Sequence, residues 1–293
     1  AGTIAGAAPG AMAAARGVRV AVGQMCSTTS VAENLESISK LAARAAAGGA
    51  AMLFLPEASY AMGVSAGDAD VLSQVPMAKD RLGAIAREAS LWISVGGHAE
   101  APEAGDARVD NVHFVFGPDG AARAAYTKTH LFDASTSSGV LRESAHTRPG
   151  AELVALRGTP VGTLGLMTCY DARFPRVSER LRFEAGASVL AVPSAFTVPT
   201  GAAHWELLMR CRAVETQCYV VAAAQWGDHG GGRRTWGHTM VVDPWGTVVA
   251  QCGEGADELV FADICDSVIS RVREAMPLES QRREDLYQRD SAS

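Results

Sequence analysis

Apolar positions along this chain fall into short continuous runs separated by stretches with helical spacing. Such runs predict buried strands, and the first three of them lie at residues 17–25, 51–55 and 91–95. Ser30 and Glu33 form a capping-box pattern, which predicts a helix that continues to about residue 47. Residues 78–90 have the apolar spacing of a second helix. The first part of the chain therefore predicts strands that alternate with helices.

A hairpin and a long polar segment follow these elements. Residues 112–116 and 121–126 are apolar runs on either side of the turn sequence Gly-Pro-Asp-Gly at 117–120. This pattern is typical of a β-hairpin. Residues 129–150 are polar, rich in Gly and Ser, and have no periodicity. They predict a long loop, which inside a compact domain is more often functional than incidental.

The same order of elements begins again near residue 154. The apolar run at 161–167 leads to Cys169, and residues 184–194 resemble residues 46–57. Later runs then correspond to the third strand and the hairpin of the first half: residues 219–223 to 91–95, and 238–246 to 112–120. This order predicts an internal duplication, with two pairs of equivalent strand ends: Glu57 with Ser194, and Cys26 with Cys169.

The duplication predicts an architecture. Strands that read as continuous apolar runs are buried on both faces. Two such sheets that pack on each other need helices on their outer faces. We therefore predict an α/β fold, a four-layer α-β-β-α sandwich with pseudo-twofold symmetry. A doubly wound three-layer fold is the alternative.

Length and composition limit the domain organisation. The chain has 293 residues, of which 48% are hydrophobic and 20% are charged, as is typical of a globular protein with a large core. No Pro/Gly/Ser-rich linker separates the halves, so residues 17–293 are predicted to form one domain with a C-terminal tail. Residues 1–16 are rich in Ala and Gly and predict a flexible tail, with a targeting segment as the alternative.

Charge and cysteine content exclude several classes of partner. The net charge is -6 and the basic residues are scattered, which argues against nucleic-acid binding. No apolar run is long enough to span a membrane. The six cysteines include no C-x-x-C pair, which favours a reduced intracellular protein over a disulfide or zinc framework. We expect a cytoplasmic location, with mitochondria as the alternative.

Three of the apolar strands end in reactive side chains, namely Glu57, Lys128 and Cys169. A charge at the end of a buried strand is costly unless it is paired, so these groups are expected to lie together. Glu57 could then take the thiol proton while Lys128 and the Tyr170 N–H bind a developing oxyanion, as in acyl transfer through a thioester. Taken singly, each has a structural alternative: a helix cap, a solvated hairpin residue and a buried thiol.

The combination is more specific than its parts. Residues 54–57, 126–133 and 169–175 resemble the three signature segments of the nitrilase superfamily, and the resemblance covers about residues 17–277. It implies the four-layer sandwich, a Glu57 base, a Lys128 oxyanion stabiliser and a Cys169 nucleophile. It also implies that no metal or organic cofactor is needed, and that the chain forms a homodimer or larger homo-oligomer. Residues 141–144 match the segment of a second glutamate, which implies that Glu143 orients the substrate and holds Lys128.

Four further segments resemble one branch of that superfamily: residues 193–197, 201–206, 215–225 and 237–247. Members of this branch hydrolyse deaminated glutathione to 2-oxoglutarate and cysteinylglycine. The sister branch, the ω-amidases, acts on 2-oxoglutaramate, so the small-molecule amides of both branches share a 2-oxoglutaryl group. Its free carboxylate needs a cation, for which Arg173 is the candidate, with a structural ion pair as the alternative.

The same resemblance suggests the pocket wall and leaves questions of specificity open. Phe196 and Thr197 are candidates for the wall, as is Trp205, for which core packing is the favoured alternative. Arg176 stands where the branch usually has an acidic residue, and Thr197 where it often has glycine. A catalytically idle scaffold is a further alternative, because some members of the branch are fused to a nucleotide-binding histidine-triad domain.

Overall fold

The computed structural model describes residues 17–63, 68–100, 106, 108–136 and 139–287. The tail predicted at residues 1–16 lies outside these ranges, as do residues 288–293.

The helices and strands follow the order that the sequence predicts. The strands are β1 (Val18–Gln24), β2 (Met52–Leu55), β3 (Trp92–Glu100), β4 (Val109–Phe116), β5 (Ala122–Thr127), β6 (Asp133–Thr136), β7 (Gly139–Arg142), β8 (Thr147–Arg148), β9 (Ala155–Thr159), β10 (Gly162–Leu166), β11 (Val189–Ala191), β12 (Tyr219–Ala222), β13 (Trp226–Asp228), β14 (Arg234–Trp236), β15 (Met240–Val242), β16 (Val248–Gln251) and β17 (Glu258–Ile264). The helices are α1 (Val31–Ala47), α2 (Ala69–Leu72), α3 (Val75–Ala89), α4 (Pro175–Phe183), α5 (Val198–Thr216), α6 (Asp266–Ala275), α7 (Leu278–Gln281) and α8 (Glu284–Tyr287). None of these helices is long and apolar enough to cross a membrane.

Two large sheets repeat one topology. The first has the strand order β17-β1-β2-β3-β4-β5, with β8 alongside β4, and the second has the order β16-β15-β12-β11-β10-β9. In the first sheet, β1, β2 and β3 are parallel and β4 and β5 run antiparallel. In the second sheet, β10, β11 and β12 are parallel and β15 and β16 run antiparallel. The predicted duplication is confirmed.

Alternating side chains on the strands divide the interior into three cores. Phe54 points into the core between the two sheets, whereas Leu53 and Leu55 point to the core shared with α1 and α3. In the second sheet Val221 faces the inter-sheet core, and Val220 faces the core beneath α4 and α5. Three cores between successive layers make the four-layer α-β-β-α sandwich, as predicted.

Local sequence explains the elements that support the functional site. In α1, the Ser30 side chain caps the helix, and Leu35, Ile38 and Leu41 lie on its buried face. Pro175 opens α4 in the first-turn position, where a missing N–H costs nothing. Helix α4 packs closely on β10, because an added Cβ at Gly165 would lie only 3.2 Å from the Leu181 Cβ.

Two predictions about local structure were wrong. Residues 129–150 contain the β6–β7 hairpin, a 3-10 turn at Glu143–Ala145 and β8, rather than a structureless loop. Such short, largely exposed strands leave no hydrophobic period in the sequence. Strand β3 continues to Glu100 instead of ending at residue 95, because its register shifts at Gly96 and Gly97 and pairing with β4 then resumes.

The paired registers also correct one equivalence. Val22 pairs with Phe54 in the first sheet, and Leu166 pairs with Ala191 in the second. Phe54 and Ala191 both lie two residues before a proline, so Val22 corresponds to Leu166. Three residues further along, Met25 corresponds to Cys169, one position away from the predicted Cys26.

Candidate active site

Three strand ends meet at one point, as the sequence predicts. Glu57 follows β2, Lys128 follows β5 and Cys169 follows β10. The Lys128 Nζ lies 3.0 Å from the Glu57 Oε1, and the Cys169 thiol forms a hydrogen bond with the Glu57 carboxylate. Lys128 is 2% exposed and Glu57 is 7% exposed, so the ion pair is almost completely shielded from water. Breaking a buried pair of this kind is strongly destabilising.

Cys169 lies at a strained corner. Its φ of 49° is left-handed, which is uncommon for a residue with a side chain. Its N–H donates to the Pro193 carbonyl at 2.9 Å, and the Ala195 N–H donates to its sulfur. The 3-10 turn Cys169–Arg173 begins here, and the first N–H groups of a helical turn have no partner within the turn. The Tyr170 N–H is one of these groups, so it suits the predicted role of an oxyanion donor.

The Glu57 corner is held from three directions. Ala58, the next residue, has a left-handed φ of 57° and donates its N–H to the Gly97 carbonyl at 2.8 Å. Gln225 Nε2 donates to the Glu57 carbonyl at 2.9 Å. An added Cβ at Gly97 would lie 2.5 Å from the Glu57 Cγ, so a residue without a side chain is required here. The bulge in β3 supplies that residue.

Glu143 completes the ionic cluster, in the position that the resemblance implies. Lys128 Nζ donates to both of its oxygens, at 3.0 Å and 2.9 Å. The Phe132 N–H donates to the Glu143 Oε2 at 2.7 Å. Because Glu143 begins the 3-10 turn after β7, the β6–β7 hairpin carries it to the lysine. Lys128 thus bridges two carboxylates.

Asn111, a residue that the sequence analysis missed, lies between the same carboxylates. Its Nδ2 donates to the Glu57 Oε1 at 3.0 Å and to the Glu143 Oε1 at 3.2 Å. Asn111 belongs to β4, where it stands on the same face as the buried residues His113 and Val115. The available signal was a polar side chain at an inward strand position, but that pattern does not say what the side chain contacts.

Asp171 joins two of the signature segments and was also missed. This fully buried carboxylate accepts hydrogen bonds from the Tyr126 hydroxyl at 2.7 Å, the Thr129 hydroxyl at 3.0 Å and the His130 Nδ1 at 2.9 Å. It also accepts from the Thr168 N–H at 2.9 Å, in the corner that holds Cys169. Burial raises the Asp171 pKa, but these donors outweigh burial and keep the pKa below its usual range.

Burial and charge fix the protonation states. Burial raises the pKa of the Cys169 thiol and the Glu57 carboxylate raises it further, against a smaller opposing effect of Lys128. Burial also raises the pKa of Glu57, but Lys128 and hydrogen bonds from Cys169 and Asn111 bring it below its usual value. The two glutamates overcome burial and raise the Lys128 pKa. The resting site therefore holds a neutral thiol beside a carboxylate and an ammonium.

The predicted carboxylate-binding residue, Arg173, lies beside two aromatic rings. Its guanidinium carbon is 5.8 Å from the centre of the Tyr170 ring and 5.3 Å from that of Phe196. Its Nη1 lies 3.3 Å from the His204 Nδ1. The Tyr170 ring contacts Phe132 edge-on, with the ring centres 5.0 Å apart. Among the described residues no carboxylate forms an ion pair with Arg173, which argues against the structural ion pair.

The residues predicted for the pocket wall have different surroundings. Phe196 is buried, and its ring centre lies 5.0 Å from that of Trp205. Trp205 is 1% exposed and donates its Nε1 to the His238 carbonyl, so it belongs to the core. Thr197 is half-buried at the start of α5, and its hydroxyl contacts that of Thr200 at 2.9 Å. Arg176 is exposed on α4. In the described part of the chain, no group of three or more His, Cys, Asp or Glu side chains could hold a metal ion.

Comparison with known proteins identifies the family of this chain. A family model described as carbon-nitrogen hydrolase matches residues 19–274. Deaminated glutathione amidase of Mus musculus is 43% identical over 92% of this chain and 84% of its own length. The nitrilase and fragile histidine triad fusion protein NitFhit of Caenorhabditis elegans is 42% identical over 92% of this chain, which spans 61% of the fusion protein.

A solved structure shows the same fold. The crystal structure of the C. elegans NitFhit protein has a TM-score of 0.87 and 41% identity, covering 94% of this chain and 67% of that one. The structural similarity extends over both sheets, because nearly the whole of this chain is aligned. The chain belongs to the carbon-nitrogen hydrolase family of the nitrilase superfamily, and it is a hydrolase that acts on amide C–N bonds.

Proposed function

We propose that this chain hydrolyses deaminated glutathione to 2-oxoglutarate and cysteinylglycine. The observation that carries the proposal is the 43% identity to deaminated glutathione amidase of Mus musculus, over 92% of this chain and 84% of that protein. The buried cluster of Glu57, Lys128 and Cys169 supplies the chemistry that such a reaction needs. The small-molecule amide would enter at the rim formed by Tyr170, Phe196 and Arg173.

In the proposed mechanism, the Cys169 sulfur attacks the amide carbon as its proton passes to Glu57. The oxyanion forms beside the Lys128 ammonium and the Tyr170 N–H, which stabilise the charge that develops in the transition state. The C–N bond then breaks, and Glu57 gives its proton to the leaving amine nitrogen. Glu57 next removes a proton from water, and the hydroxide attacks the thioester carbon. The C–S bond then breaks as the proton on Glu57 passes to the sulfur, which releases the acid and restores the thiol.

The roles of the remaining residues follow from their contacts. Glu143 would hold Lys128 by its two hydrogen bonds and orient the substrate amide. Arg173 would bind the carboxylate of the 2-oxoglutaryl group, because a guanidinium can form two parallel hydrogen bonds with a carboxylate. Phe196 and Thr197 would form part of the wall beside it. The rings of Tyr170 and Phe196 make cation–π contacts with the Arg173 guanidinium.

The ω-amidase reaction is the nearest alternative, because 2-oxoglutaramate gives the same acyl-enzyme and differs only in the leaving amine. We test the two by measuring kcat/KM for deaminated glutathione, 2-oxoglutaramate and a simple nitrile. The proposal predicts the highest value for deaminated glutathione, and Cys169→Ala supplies the inactive control. A higher value for 2-oxoglutaramate would reassign the chain to the ω-amidases. Turnover of none of the three would favour the scaffold.

We also propose that the chain forms a homodimer through the outer layer. Helix α5 exposes Leu207 and Val214, and Trp245 is 58% exposed in the adjoining turn. The turn lies directly against the helix, because an added Cβ at Gly246 would lie 2.6 Å from Val214. Exposed apolar groups of this kind mark association surfaces. Light scattering after gel filtration tests the proposal: the unaltered chain should elute as a dimer or larger assembly, and Leu207→Glu should give monomers.

The location inside the cell is proposed from the thiols. All six cysteines are free, and Cys169 must be reduced to act as a nucleophile. We therefore propose the cytoplasm, where thiols are kept reduced, with mitochondria as the alternative. Fractionation of cells followed by detection of the native chain tests this location, and recovery in a secreted fraction would contradict it.

A further inference from the structure

The Asn111 side chain occupies the space between the two carboxylates of the ionic cluster. Its Nδ2 lies 3.0 Å from the Glu57 Oε1 and 3.2 Å from the Glu143 Oε1. An amide nitrogen carries two N–H groups, so each carboxylate receives one of them. The Lys128 Nζ contacts the same two oxygens, each at 3.0 Å. The neutral Asn111 side chain and the Lys128 cation therefore each bridge the two carboxylates.

The orientation of this amide is set by its neighbours. If the amide were rotated, its oxygen would face two carboxylate oxygens at about hydrogen-bond distance, an arrangement with no proton to share. Asn111 Oδ1 instead points toward Gly97, where an added Cβ would lie 2.7 Å away. The Asn111 carbonyl also accepts the Lys128 N–H at 2.9 Å. The Asn111 side chain thus contacts both carboxylates, and its backbone carbonyl bonds the backbone N–H of Lys128.

The charge balance explains why a neutral donor suits this position. Glu57 and Glu143 bring two negative charges against the single positive charge of Lys128, so the cluster keeps one negative charge. A second cation at residue 111 would cancel that charge and make Glu57 a weaker base. A carboxylate there would add repulsion and remove the donors. An amide supplies two hydrogen bonds and leaves the charge unchanged.

We propose that Asn111 is a positioning residue for the reaction: it holds the Glu57 Oε1 beside Lys128, so that Oε2 is the atom that receives the Cys169 proton. The inference rests on the proposed roles of Glu57 and Cys169. In the acylation step, the S–H bond breaks as the proton moves to Oε2, and the sulfur forms a bond with the amide carbon. The same Oε2 then delivers that proton to the nitrogen as the C–N bond breaks.

The groups that face Glu57 determine the pKa that a pH profile of the reaction reports. They are Lys128 from the end of β5, Cys169 from the corner after β10, and Asn111 from β4, with Glu143 joined through Lys128. Among these, Asn111 alone does not titrate. Substitutions at residue 111 therefore change the surroundings of Glu57 without removing any of the groups that titrate.

The test compares Asn111→Ala and Asn111→Asp with the unaltered chain. We expect Asn111→Ala to lower kcat about 10- to 100-fold, with KM unchanged, because the proposed role concerns proton transfer and not substrate binding. The acid limb of the kcat profile should move to higher pH in Asn111→Ala and further in Asn111→Asp, because the first loses donors and the second adds a like charge. A purely structural role would not produce this order.

Alkylation of Cys169 by iodoacetamide, measured by mass spectrometry at each pH, provides a readout that needs no amide substrate. The acid limb of Cys169 alkylation should move to higher pH in Asn111→Ala and further in Asn111→Asp. Alkylation of Cys211, which lies away from the site on α5, should not change. Asp110→Asn, on the same strand and paired with Arg148, is the matched variant and should keep the profile of the unaltered chain.

Two results distinguish the inference from the proposed function. If none of the amides is hydrolysed but the alkylation limb moves in the predicted order, the positioning role stands and the proposed substrate is wrong. If both substitutions leave the limb in place, or shift it equally, the positioning role is wrong whatever the substrate. Circular dichroism identifies a variant that fails to fold, and the other variant then carries the comparison.

Discussion

The two halves of the molecule end equivalent strands in different ways. Strand β2 leads to Pro56 and Glu57, whereas β11 leads to Pro193 and Ser194. Glu57 joins the ionic cluster, but Ser194 is fully buried and its hydroxyl donates to the Val192 carbonyl. In the same way, Cys169 of the second half corresponds to Met25, which is 1% exposed in the core. Each half thus contributes reactive groups at positions where the other half contributes packing.

A neighbouring pair of residues shows how this difference is accommodated. Gly97, beside Glu57, has a left-handed φ of 51° and no room for a Cβ. By strand register the corresponding residue beside Ser194 is Ala224, which is buried and forms a parallel bridge with Ser194. The small Ser194 side chain leaves space for the Cβ of Ala224. The larger Glu57 side chain, which bends toward Lys128, leaves no space for a Cβ at residue 97. A duplicated fold brings the strand ends together, and a few divergent residues make one of the corners reactive.

The comparison is tested most strongly by substituting Glu57 and Ser194, the two corner residues, in separate variants. Glu57→Gln should lower kcat about 10²- to 10⁴-fold, because glutamine cannot accept the thiol proton and burial raises the pKa of Cys169. Steady-state kinetics with the best amide substrate measures the loss.

Ser194→Ala is the matched control at the equivalent position. It removes one hydroxyl that bonds within its own turn, so kcat should stay within about twofold of the unaltered chain. Equal losses in the two variants would mean that the corners are not functionally different, and the comparison between the halves would then fail.

Removing the cation is expected to have the next largest effect. Lys128→Met should lower kcat about 10²- to 10³-fold, the usual consequence of losing an oxyanion donor. It also leaves the buried Glu57 without its positive partner, so the pKa of Glu57 should rise. Kinetics across a pH series measures both effects as a lower plateau and an acid limb at higher pH.

Arg123→Met controls for loss of a positive charge on β5, the strand that leads to Lys128. Arg123 is in β5, and its partner Asp119 is in the turn, with both side chains largely exposed. Exposed pairs contribute about 0–1 kcal/mol, so activity and pH profile should not change. If Lys128→Met behaves like this control, Lys128 has no role in the reaction.

A buried histidine between the two sheets, His113, leads to a prediction of how stability depends on pH. His113 lies in the inter-sheet region, where its ring contacts the Ser94 hydroxyl at 2.7 Å and the Met167 carbonyl at 3.1 Å. Burial lowers the pKa of His113 to about 4, against 6.5 in an unfolded chain. Between these pH values the unfolded state binds more protons, so the free energy of unfolding falls as pH falls from about 6.5 to 4.

One buried histidine contributes a slope of about 1.4 kcal/mol per pH unit within that window. Burial also lowers the pKa of His98, to about 3, so His98 adds a similar slope. His113→Asn should remove about half of the combined slope, as measured by urea unfolding at pH 6 and pH 5. His146→Gln, at an exposed position, should leave the slope unchanged. If His113→Asn leaves the slope of unfolding free energy against pH unaltered, protonation of His113 does not contribute to the pH dependence of stability.

The sequence predicts the parts of the site that depend on local pattern. Glu57, Lys128 and Cys169 each end a continuous apolar run, so the pattern that predicts the strands also locates the reactive groups. Parallel strands place such ends on one side of a sheet, and the duplication brings two sheets together there. Glu143 was found only through the resemblance, because the hairpin that carries it leaves no hydrophobic period.

The remaining features depend on contacts between distant segments. Asn111 looks like an ordinary polar strand residue until β4 is placed beside Glu57 and Glu143. The bulge at Gly96 and Gly97 packs against the Glu57 side chain, a contact that the local sequence does not reveal. Asp171 likewise gathers donors from segments more than 40 residues apart. Such residues are recognised only when the tertiary structure places their partners.

The smallest predicted effect concerns Arg173, which the second half places at the rim. Arg173→Lys should raise KM for 2-oxo acid amides about tenfold and leave kcat nearly unchanged, because an ammonium cannot reproduce the two parallel hydrogen bonds of a guanidinium. It also changes the cation–π contacts with Tyr170 and Phe196. An amide that lacks a carboxylate should bind equally well to both forms. Arg176→Lys, exposed on α4, should change neither constant; a KM for 2-oxo acid amides that is unchanged in Arg173→Lys would return Arg173 to a structural role.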